Sequence, residues 1–201
     1  MIYWFAHGLW MVISKVFFPI RVYGREHLPQ KKGFILASNH LSNLDPMVLG
    51  LASGRRLSYV AKESLFKNKF FAFVLHQVGA FPIKRDAADI GAIKEAIRRL
   101  KSGSSVVIFP QGTRKAKAEE EKIQSGVGLL AAKSQASIIP AFIQGSEHIL
   151  AAGRRFIKPG RIRVFFGPAV FYNPSDSYQD LAIRTMRCIN ELASGAPVKR
   201  F

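Results

Sequence analysis

Residues 33–46 read GFILASNHLSNLDP, and this stretch predicts the fold of the whole chain. Its first part, GFILAS, is a short apolar run of the kind that forms a strand buried on both faces of a sheet. A polar turn follows. Asp45 before Pro46 then predicts a helix over 47–52, because Asp is favoured at the N-cap and Pro at the first helical position. A strand, a turn and a helix in this order are the unit from which α/β folds are built.

The same alternation continues along the chain. Further strands are predicted from the runs LSYVAK at 57–62, SVVIF at 105–109, IIPAFI at 138–143 and RIRVFF at 161–166. Two longer helices are predicted over 89–101, with Asp86 or Asp89 as N-cap, and over 177–193. One face of the first of these helices carries Ile90, Ile93, Ile97 and Leu100. The sequence therefore predicts a single α/β domain with a mixed, largely parallel sheet flanked by helices, plus an N-terminal membrane-associated helix.

The amino-acid composition limits the kinds of partner that the protein is expected to bind. The 201 residues include 30 Lys plus Arg against 13 Asp plus Glu, which gives a formal net charge of +17. Nucleic acid and anionic lipid both attract such a charge. However, 48% of the residues are hydrophobic and 16 are Phe, and no recognisable nucleic-acid-binding module is present. This combination favours an anionic membrane surface as the partner, with no nucleic acid. Cys188 is the single cysteine, and its helical setting predicts a buried packing role.

The first 20 residues predict the membrane contact. Residues 2–20 read IYWFAHGLWMVISKVFFPI, an apolar run that contains two Trp residues. No basic segment precedes it and no small-residue cleavage site follows it, so a cleaved signal peptide is disfavoured. The length would allow a spanning helix, but Lys15 and Pro19 favour a helix that lies in the interface. We therefore divide the chain into an N-terminal membrane-interface helix at 1–20 and a folded domain at 21–201.

Polar side chains follow three of the apolar segments. His40 and Asp45 lie in NHLSNLDP, GAFPIKRD supplies Lys84 and Arg85, and FPQGTR follows the strand at 105–109. Strand ends of an α/β sheet converge on one crevice, which would then hold a base, a carboxylate and several cations. Simpler explanations exist for each element. Asp45 alone would serve as a helix N-cap, and the basic turn alone would be a solvated loop. The charged stretch at 113–122 is most simply solvated surface.

The order of these segments resembles that of the glycerolipid acyltransferase family. NHLSNLD resembles its HxxxxD motif, GAFPIKR its second block, FPQGTR its third and IIPAFI its fourth. The resemblance implies that 21–201 is the catalytic domain of an enzyme, and that it moves a fatty acyl group from an acyl thioester to the sn-2 hydroxyl of lysophosphatidic acid, giving phosphatidic acid. The acyl donor would be acyl-carrier protein or a coenzyme A thioester, with no metal. The implied location is the cytoplasmic face of the cell membrane, peripheral or monotopic.

The resemblance also implies roles for individual residues. His40 would be the general base and Asp45 the group that orients it. The third block usually reads FPEGTR, so Gln111 replaces a glutamate here and removes one charge while keeping hydrogen-bonding capacity. The substrate-binding residues implied by the family pattern are Lys62, Arg85, Gln111, Gly112, Thr113 and Arg114.

Other functions stay open at this point. Glycerol 3-phosphate or another lysophospholipid could be the acceptor, and a non-catalytic basic membrane-binding protein would share the same composition. A dinucleotide-binding protein is disfavoured, because the GxGxxA pattern formed by Gly126, Gly128 and Ala131 follows EEEKIQ rather than a hydrophobic strand. The segment from Phe66 to Val74 places five apolar residues beside Lys67 and Lys69. It would suit a membrane contact, although core packing is the simpler explanation for at least half of its aromatic residues.

Overall fold

The computed structural model describes residues 2–83, 89–112, 123–150, 156 and 158–195, with side chains from Gly8 onward. These residues form a seven-stranded sheet flanked by helices. The strands are β1 Ile20–Tyr23, β2 Ile35–Ser38, β3 Leu57–Lys62, β4 Ala80–Ile83, β5 Ser105–Ile108, β6 Ile138–Gln144 and β7 Ile162–Phe166. The helices are α1 Ile2–Phe17, α2 Asp45–Ser53, α3 Lys69–Gln77, α4 Ile90–Lys101, α5 Gly126–Ser134, α6 Ser146–Ile149 and α7 Tyr178–Ala193. Two short 3-10 helices lie at Arg25–His27 and Glu63–Phe66.

The sheet is mixed and largely parallel, as predicted. Its strand order is β1-β7-β6-β2-β5-β3-β4. The five strands from β6 to β4 are mutually parallel, whereas β7 runs antiparallel to β6 and β1 runs parallel to β7. The five parallel strands therefore all end at one edge of the sheet, which we call the carboxyl edge. The remaining two strands, β7 and β1, run in the opposite direction and begin at that same edge.

Two apolar layers hold helices on the two faces of the sheet. One layer joins the sheet to α4, α5 and α7. The other joins it to α2 and to the end of α1, where Phe18 is buried and Trp10 and Ile13 are partly buried. The central strand β2 is buried along its full length, and its neighbouring residues Ile35 and Leu36 belong to opposite layers. This burial on both faces explains why an unbroken apolar run predicted the strand correctly.

Two predictions about helix α4 have different outcomes. Asp89 is its N-cap, because the carboxylate accepts a hydrogen bond from the Ala92 N–H at 3.0 Å. The apolar face noted in the sequence is not buried along its full length, since Ile90 is 64% exposed. The fully buried residues are Ala92, Ala96 and Leu100. Small side chains at two of these positions allow α4 to lie close to its neighbours, which a pattern based on large apolar residues does not detect.

Helix α1 presents a mostly apolar surface to solvent. Ser14 is buried and donates to the Met11 carbonyl oxygen at 2.9 Å, whereas Leu9, Met11, Val12, Val16 and Phe17 are exposed. Its last residue lies at the carboxyl edge, because the Phe17 carbonyl oxygen accepts from Gly160 N–H just before β7. Within the described residues, no helix combines the length and the apolar character needed to cross a bilayer.

A glycine on α5 permits close packing against α7. A Cβ at Gly128 would lie 2.2 Å from the Tyr178 carbonyl oxygen. We expect Gly128→Ala to lower the free energy of unfolding by about 1–3 kcal/mol, because the added methyl group must force the two helices apart. Gly126→Ala on the same helix is the control, since a Cβ there meets no described atom within 4 Å. Urea denaturation followed by circular dichroism measures both, and equal midpoints would contradict this packing explanation.

Candidate active site

His40 and Asp45 lie together at the carboxyl edge, beside the end of the central strand. The His40 Nδ1–H donates to the Asp45 carboxylate oxygen Oδ2 over 2.9 Å. The side chains are 12% and 1% exposed, respectively, so the carboxylate is enclosed while part of the imidazole reaches the surface. With Nδ1 engaged by the carboxylate, the other ring nitrogen, Nε2, is left to face an incoming molecule.

The Asp45 carboxylate does not cap α2, contrary to the prediction. Leu44 occupies the N-cap position, and the helix has no side-chain capping hydrogen bond among the described residues. Instead the turn before the helix folds back, so that Oδ2 accepts from the backbone N–H groups of Leu41 at 2.7 Å and Ser42 at 2.8 Å. These bonds fix the carboxylate in the orientation that receives the His40 ring.

Ser146 provides a fourth hydrogen bond to the carboxylate. Its hydroxyl group donates to Asp45 Oδ1 at 2.6 Å, and the residue is fully buried at the start of α6. A buried carboxylate is stable only where donors replace the lost water, and these four donors satisfy that requirement. Sequence reasoning did not identify Ser146. The available indication was the polar run QGSEH directly after the strand at 138–143, which is one more strand end at the same edge.

Asn39 holds β2 against β6 at the point where the chain turns toward His40. Its side-chain amide donates to the Ile143 carbonyl oxygen at 2.9 Å and accepts from the Ile143 N–H at 2.8 Å. The amide thus continues the ladder of hydrogen bonds one step beyond the last strand residue. This contact, which was also not predicted, anchors the backbone immediately before the imidazole.

The turn after β5 forms a wall of the site. The Phe109 ring stacks on the His40 imidazole with 4.0 Å between ring centroids and an interplanar angle of 18°. Gly112 adopts a positive φ of 65°, which glycine accepts without strain, and its N–H donates to the Phe109 carbonyl oxygen. The Gln111 oxygen Oε1 is buried and accepts no hydrogen bond within the described part of the chain. Among the described residues, this acceptor in the turn after β5 therefore has no donor.

The remaining predicted site residues are not in direct contact with His40 or lie outside the described residues. Lys62 is the exposed last residue of β3, at the carboxyl edge and two strands away from β2. Arg85, Thr113 and Arg114 lie outside the described residues, so their predicted roles stay predictions. The structure thus brings His40, Asp45 and the start of the FPQG turn into direct contact, and it places Lys62 on the same edge.

This arrangement suits proton abstraction from a substrate hydroxyl group. An imidazole whose Nδ1–H is held by a carboxylate presents the lone pair of Nε2, and the carboxylate stabilises the imidazolium ion that forms when a proton is taken. Such a base accelerates attack by a hydroxyl group by roughly 10²–10⁴-fold.

Comparisons with known proteins agree with this chemistry. A family model described as Acyltransferase matches residues 19–144. The 1-acyl-sn-glycerol-3-phosphate acyltransferase of Bacillus subtilis is 33% identical over 149 residues, which cover 74% of this chain and 72% of that protein. A chloroplastic 1-acyl-sn-glycerol-3-phosphate acyltransferase of Arabidopsis thaliana is 28% identical, and the match covers 86% of this chain but only 49% of that protein.

A solved structure shares the fold. The crystal structure of the 1-acyl-sn-glycerophosphate acyltransferase from Thermotoga maritima superposes with a TM-score of 0.74 at 22% identity, covering 90% of this chain and 74% of that one. The family model spans well over half of the sequence, and its matched segment contains His40, Asp45 and the turn at Gln111. On the strength of this match and of the Bacillus subtilis relative, the chain belongs to the acyltransferase family.

Proposed function

We propose that the protein is a 1-acylglycerol-3-phosphate O-acyltransferase, which transfers a fatty acyl group from an acyl thioester to the sn-2 hydroxyl of lysophosphatidic acid and so forms phosphatidic acid. The observation that carries the proposal is the His40–Asp45 pair at 2.9 Å, held at the carboxyl edge by three further donors to the carboxylate. The relatives named above, which carry this activity in their names, support the same reaction.

The reaction needs one base and no protein nucleophile. His40 Nε2 takes the proton of the acceptor hydroxyl as its oxygen attacks the thioester carbonyl carbon. The carbonyl π bond opens to an oxyanion, which then re-forms the carbonyl group and expels the thiolate. The imidazolium returns its proton to the thiolate sulfur, so the products are an ester, a thiol and a neutral His40. Asp45 orients the ring and balances its transient charge throughout.

The phosphate group of the acceptor is negatively charged, so cationic side chains are expected near His40. We assign Lys62, Arg85 and Arg114 to that phosphate, since guanidinium and ammonium groups form charge-assisted hydrogen bonds with phosphate oxygens. The exposed position of Lys62 at the carboxyl edge supports its part in this assignment. The backbone of Gly112 and the hydroxyl group of Thr113 would complete the substrate contacts.

Gln111 is assigned to the glycerol part of the acceptor. Its buried Oε1 atom lacks a donor within the described residues, and a substrate hydroxyl group supplies one. Its neutral amide keeps this capacity without the charge of the usual glutamate. The acyl donor is assigned to an acyl-carrier protein or acyl-coenzyme A, because the net charge of +17 attracts both an acidic carrier protein and the phosphates of coenzyme A.

The site of action is proposed to be the anionic membrane surface, on the cytoplasmic face, with the protein peripheral or monotopic and with residues 1–20 as the interface segment. Lys and Arg residues near an anionic leaflet contribute about 1 kcal/mol each. The exposed apolar residues of α1 supply the hydrophobic part of the binding. An acceptor lipid would then enter the site directly from the leaflet.

Substitutions on the exposed face of α1 test this location. We expect the double variant Val12→Ser with Val16→Ser to bind anionic vesicles roughly tenfold or more weakly, because each lost valine removes about 1–2 kcal/mol of apolar burial. The two side chains are 61% and 69% exposed, so the fold is expected to persist. Vesicle flotation measures the effect. Unchanged binding would place the main membrane contact elsewhere on the protein.

The reaction itself is tested by supplying lysophosphatidic acid and a labelled acyl thioester to the purified full-length protein in mixed detergent micelles. Phosphatidic acid should accumulate with either acyl-carrier protein or coenzyme A as the donor. If product forms only from glycerol 3-phosphate or another lysophospholipid, that molecule is the acceptor instead. Gln111 would then be the first residue to test as the cause of the changed specificity. Failure across the whole panel of acceptors would favour a non-catalytic membrane-binding protein.

A further inference from the structure

We propose that a second apolar surface, formed by Leu65, Phe70, Phe71 and Phe73 and called here the α3 surface, inserts into the same anionic bilayer as α1. This inference rests on the proposed function, which places the substrate in that bilayer. It gives the enzyme two separate lipid contacts, one on each side of the active site.

The α3 surface is apolar and uncovered. Leu65 is 53% exposed, and Phe70, Phe71 and Phe73 are 72%, 60% and 51% exposed. Helix α3 contains no fully buried residue, although Phe, Val and Leu make up five of its nine positions. Core packing therefore does not explain these aromatic residues. Exposed aromatic residues clustered on one short helix are typical of a surface that contacts a membrane or another protein.

The charges around the α3 surface favour a negatively charged occupant. Lys67 lies between the 3-10 helix and α3, Lys69 is the first residue of α3, and Lys62 ends the strand just before them. All three are exposed, and Glu63 is the exposed acid among them. A helix start flanked by lysines and carrying Phe on its surface combines the two features of interfacial lipid binding, which are apolar insertion and attraction to anionic headgroups.

The position in the fold favours a bilayer over a smaller partner. The 3-10 helix Glu63–Phe66 follows the end of β3 at the carboxyl edge, and α3 begins there and leads back to β4, the last strand of the sheet. Helix α1 ends at the same edge but beside β1, the strand at the opposite end of the sheet. Neighbouring strands lie about 4.8 Å apart, and six such spacings separate β1 from β4. The end of α1 and the start of the β4 side of the sheet are therefore roughly 30 Å apart. His40 follows β2, between the two apolar surfaces.

Two contacts on one edge fix the orientation of the enzyme on a membrane. A single amphipathic helix would leave the domain free to tilt about it, whereas a second contact on the far side of the site brings the carboxyl edge to face the leaflet. The crevice that holds His40 then opens toward the lipid acceptor. The second contact also adds its apolar area and its lysines to the membrane affinity supplied by α1.

A fluorescent label tests the proposal directly. Burial raises the pKa of the Cys188 thiol, and this residue is 1% exposed, so a cysteine introduced on the surface reacts selectively. We would label Phe71→Cys with an environment-sensitive dye and add vesicles that contain phosphatidylglycerol. The control is Phe171→Cys, whose parent side chain is similarly exposed at 64%. It follows Val170, which pairs with the first residue of β6 at the opposite edge of the sheet.

The expected result is a blue shift and a rise in emission of roughly twofold or more for the label at 71, with little change for the label at 171. In flotation assays, replacing Phe70, Phe71 and Phe73 together by Ser should weaken vesicle binding by roughly tenfold or more, whereas Phe171→Ser should not. A label at 71 that stays unchanged with vesicles would overturn the proposal. So would a response to acyl-carrier protein alone or to protein concentration alone, since these would identify a protein partner or a second copy.

Failure of this inference is distinguishable from failure of the proposed reaction. Acyl transfer by the wild-type protein in detergent micelles does not require a bilayer contact. Turnover in micelles together with an unresponsive label at 71 would refute only the insertion of the α3 surface into the bilayer. A responsive label without turnover on any acceptor would support the membrane contact and refute the proposed reaction.

Discussion

His40→Ala is expected to lower kcat for phosphatidic acid formation by roughly 10²–10⁴-fold while leaving vesicle binding unchanged. The imidazole is the group whose Nδ1–H meets the buried carboxylate and whose Nε2 is left for substrate, so its removal leaves the acceptor hydroxyl without a base. The side chain is only partly buried, and the neighbouring Phe109 ring is expected to remain in place. Turnover should be measured in micelles and in anionic vesicles with the same preparation.

Two further measurements make the assignment of the base specific. His148→Ala is the matched control, since that imidazole is 83% exposed and lies 3.5 Å from the Glu147 carboxylate. Its activity should equal that of the wild type. Added imidazole should partly restore turnover to His40→Ala by occupying the space beside Phe109. Full activity of His40→Ala without added imidazole would refute its assignment as the base.

Asp45→Ala is expected to cause a comparable loss of turnover together with a fall of about 3–5 kcal/mol in the free energy of unfolding. The variant removes the acceptor for four hydrogen bonds and leaves the N–H groups of Leu41 and Ser42 without a partner. The imidazole also loses the group that fixes its tautomer. Urea denaturation and steady-state kinetics on one preparation measure the two effects separately.

Asp45→Asn separates charge from geometry. The amide oxygen can take the place of Oδ2 and accept from the same three donors, while the amide nitrogen donates to the Ser146 hydroxyl oxygen. The fold and the tautomer of His40 are then retained and only the negative charge is lost. We expect a fall in kcat of roughly 10–100-fold, the value of a charge-assisted bond, with KM nearly unchanged. Asp176→Asn is the control variant. Wild-type turnover in Asp45→Asn would contradict a role for the negative charge of Asp45.

The strands that were missed by sequence reasoning are the two at the ends of the sheet. The central strands β2, β5 and β6 are buried on both faces, so their sequences are continuous apolar runs. In contrast, β1 and β4 have only four residues each, exposure alternates along β1, and only Ala80 and Phe81 are buried in β4, ahead of the exposed Pro82. Proline is tolerated in a strand at a sheet edge, where one side of the backbone needs no partner. The hydrophobic pattern therefore detects the middle of this sheet better than its margins.

The site was predictable where its residues are close in the sequence. His40 and Asp45 are five positions apart on one turn, so a local motif contains both partners of the pair. Ser146 follows the end of β6, more than a hundred residues after Asp45 in the chain, and the parallel pairing of β2 with β6 brings the two together. The stacking of Phe109 on His40 likewise depends on the pairing of β2 with β5. These contacts required the strand order, which the sequence pattern did not supply.

The pairing of β1 with β7 has a consequence for how the protein forms during synthesis. Ile20 pairs with Ile162, so β1 is synthesised long before its partner strand β7. Closing contacts over such a long separation is slow, and it cannot begin until most of the polypeptide has been made. Throughout that interval β1 has no strand to pair with. If residues 1–20 form the interface segment proposed above, α1 can contact a bilayer before the sheet is complete.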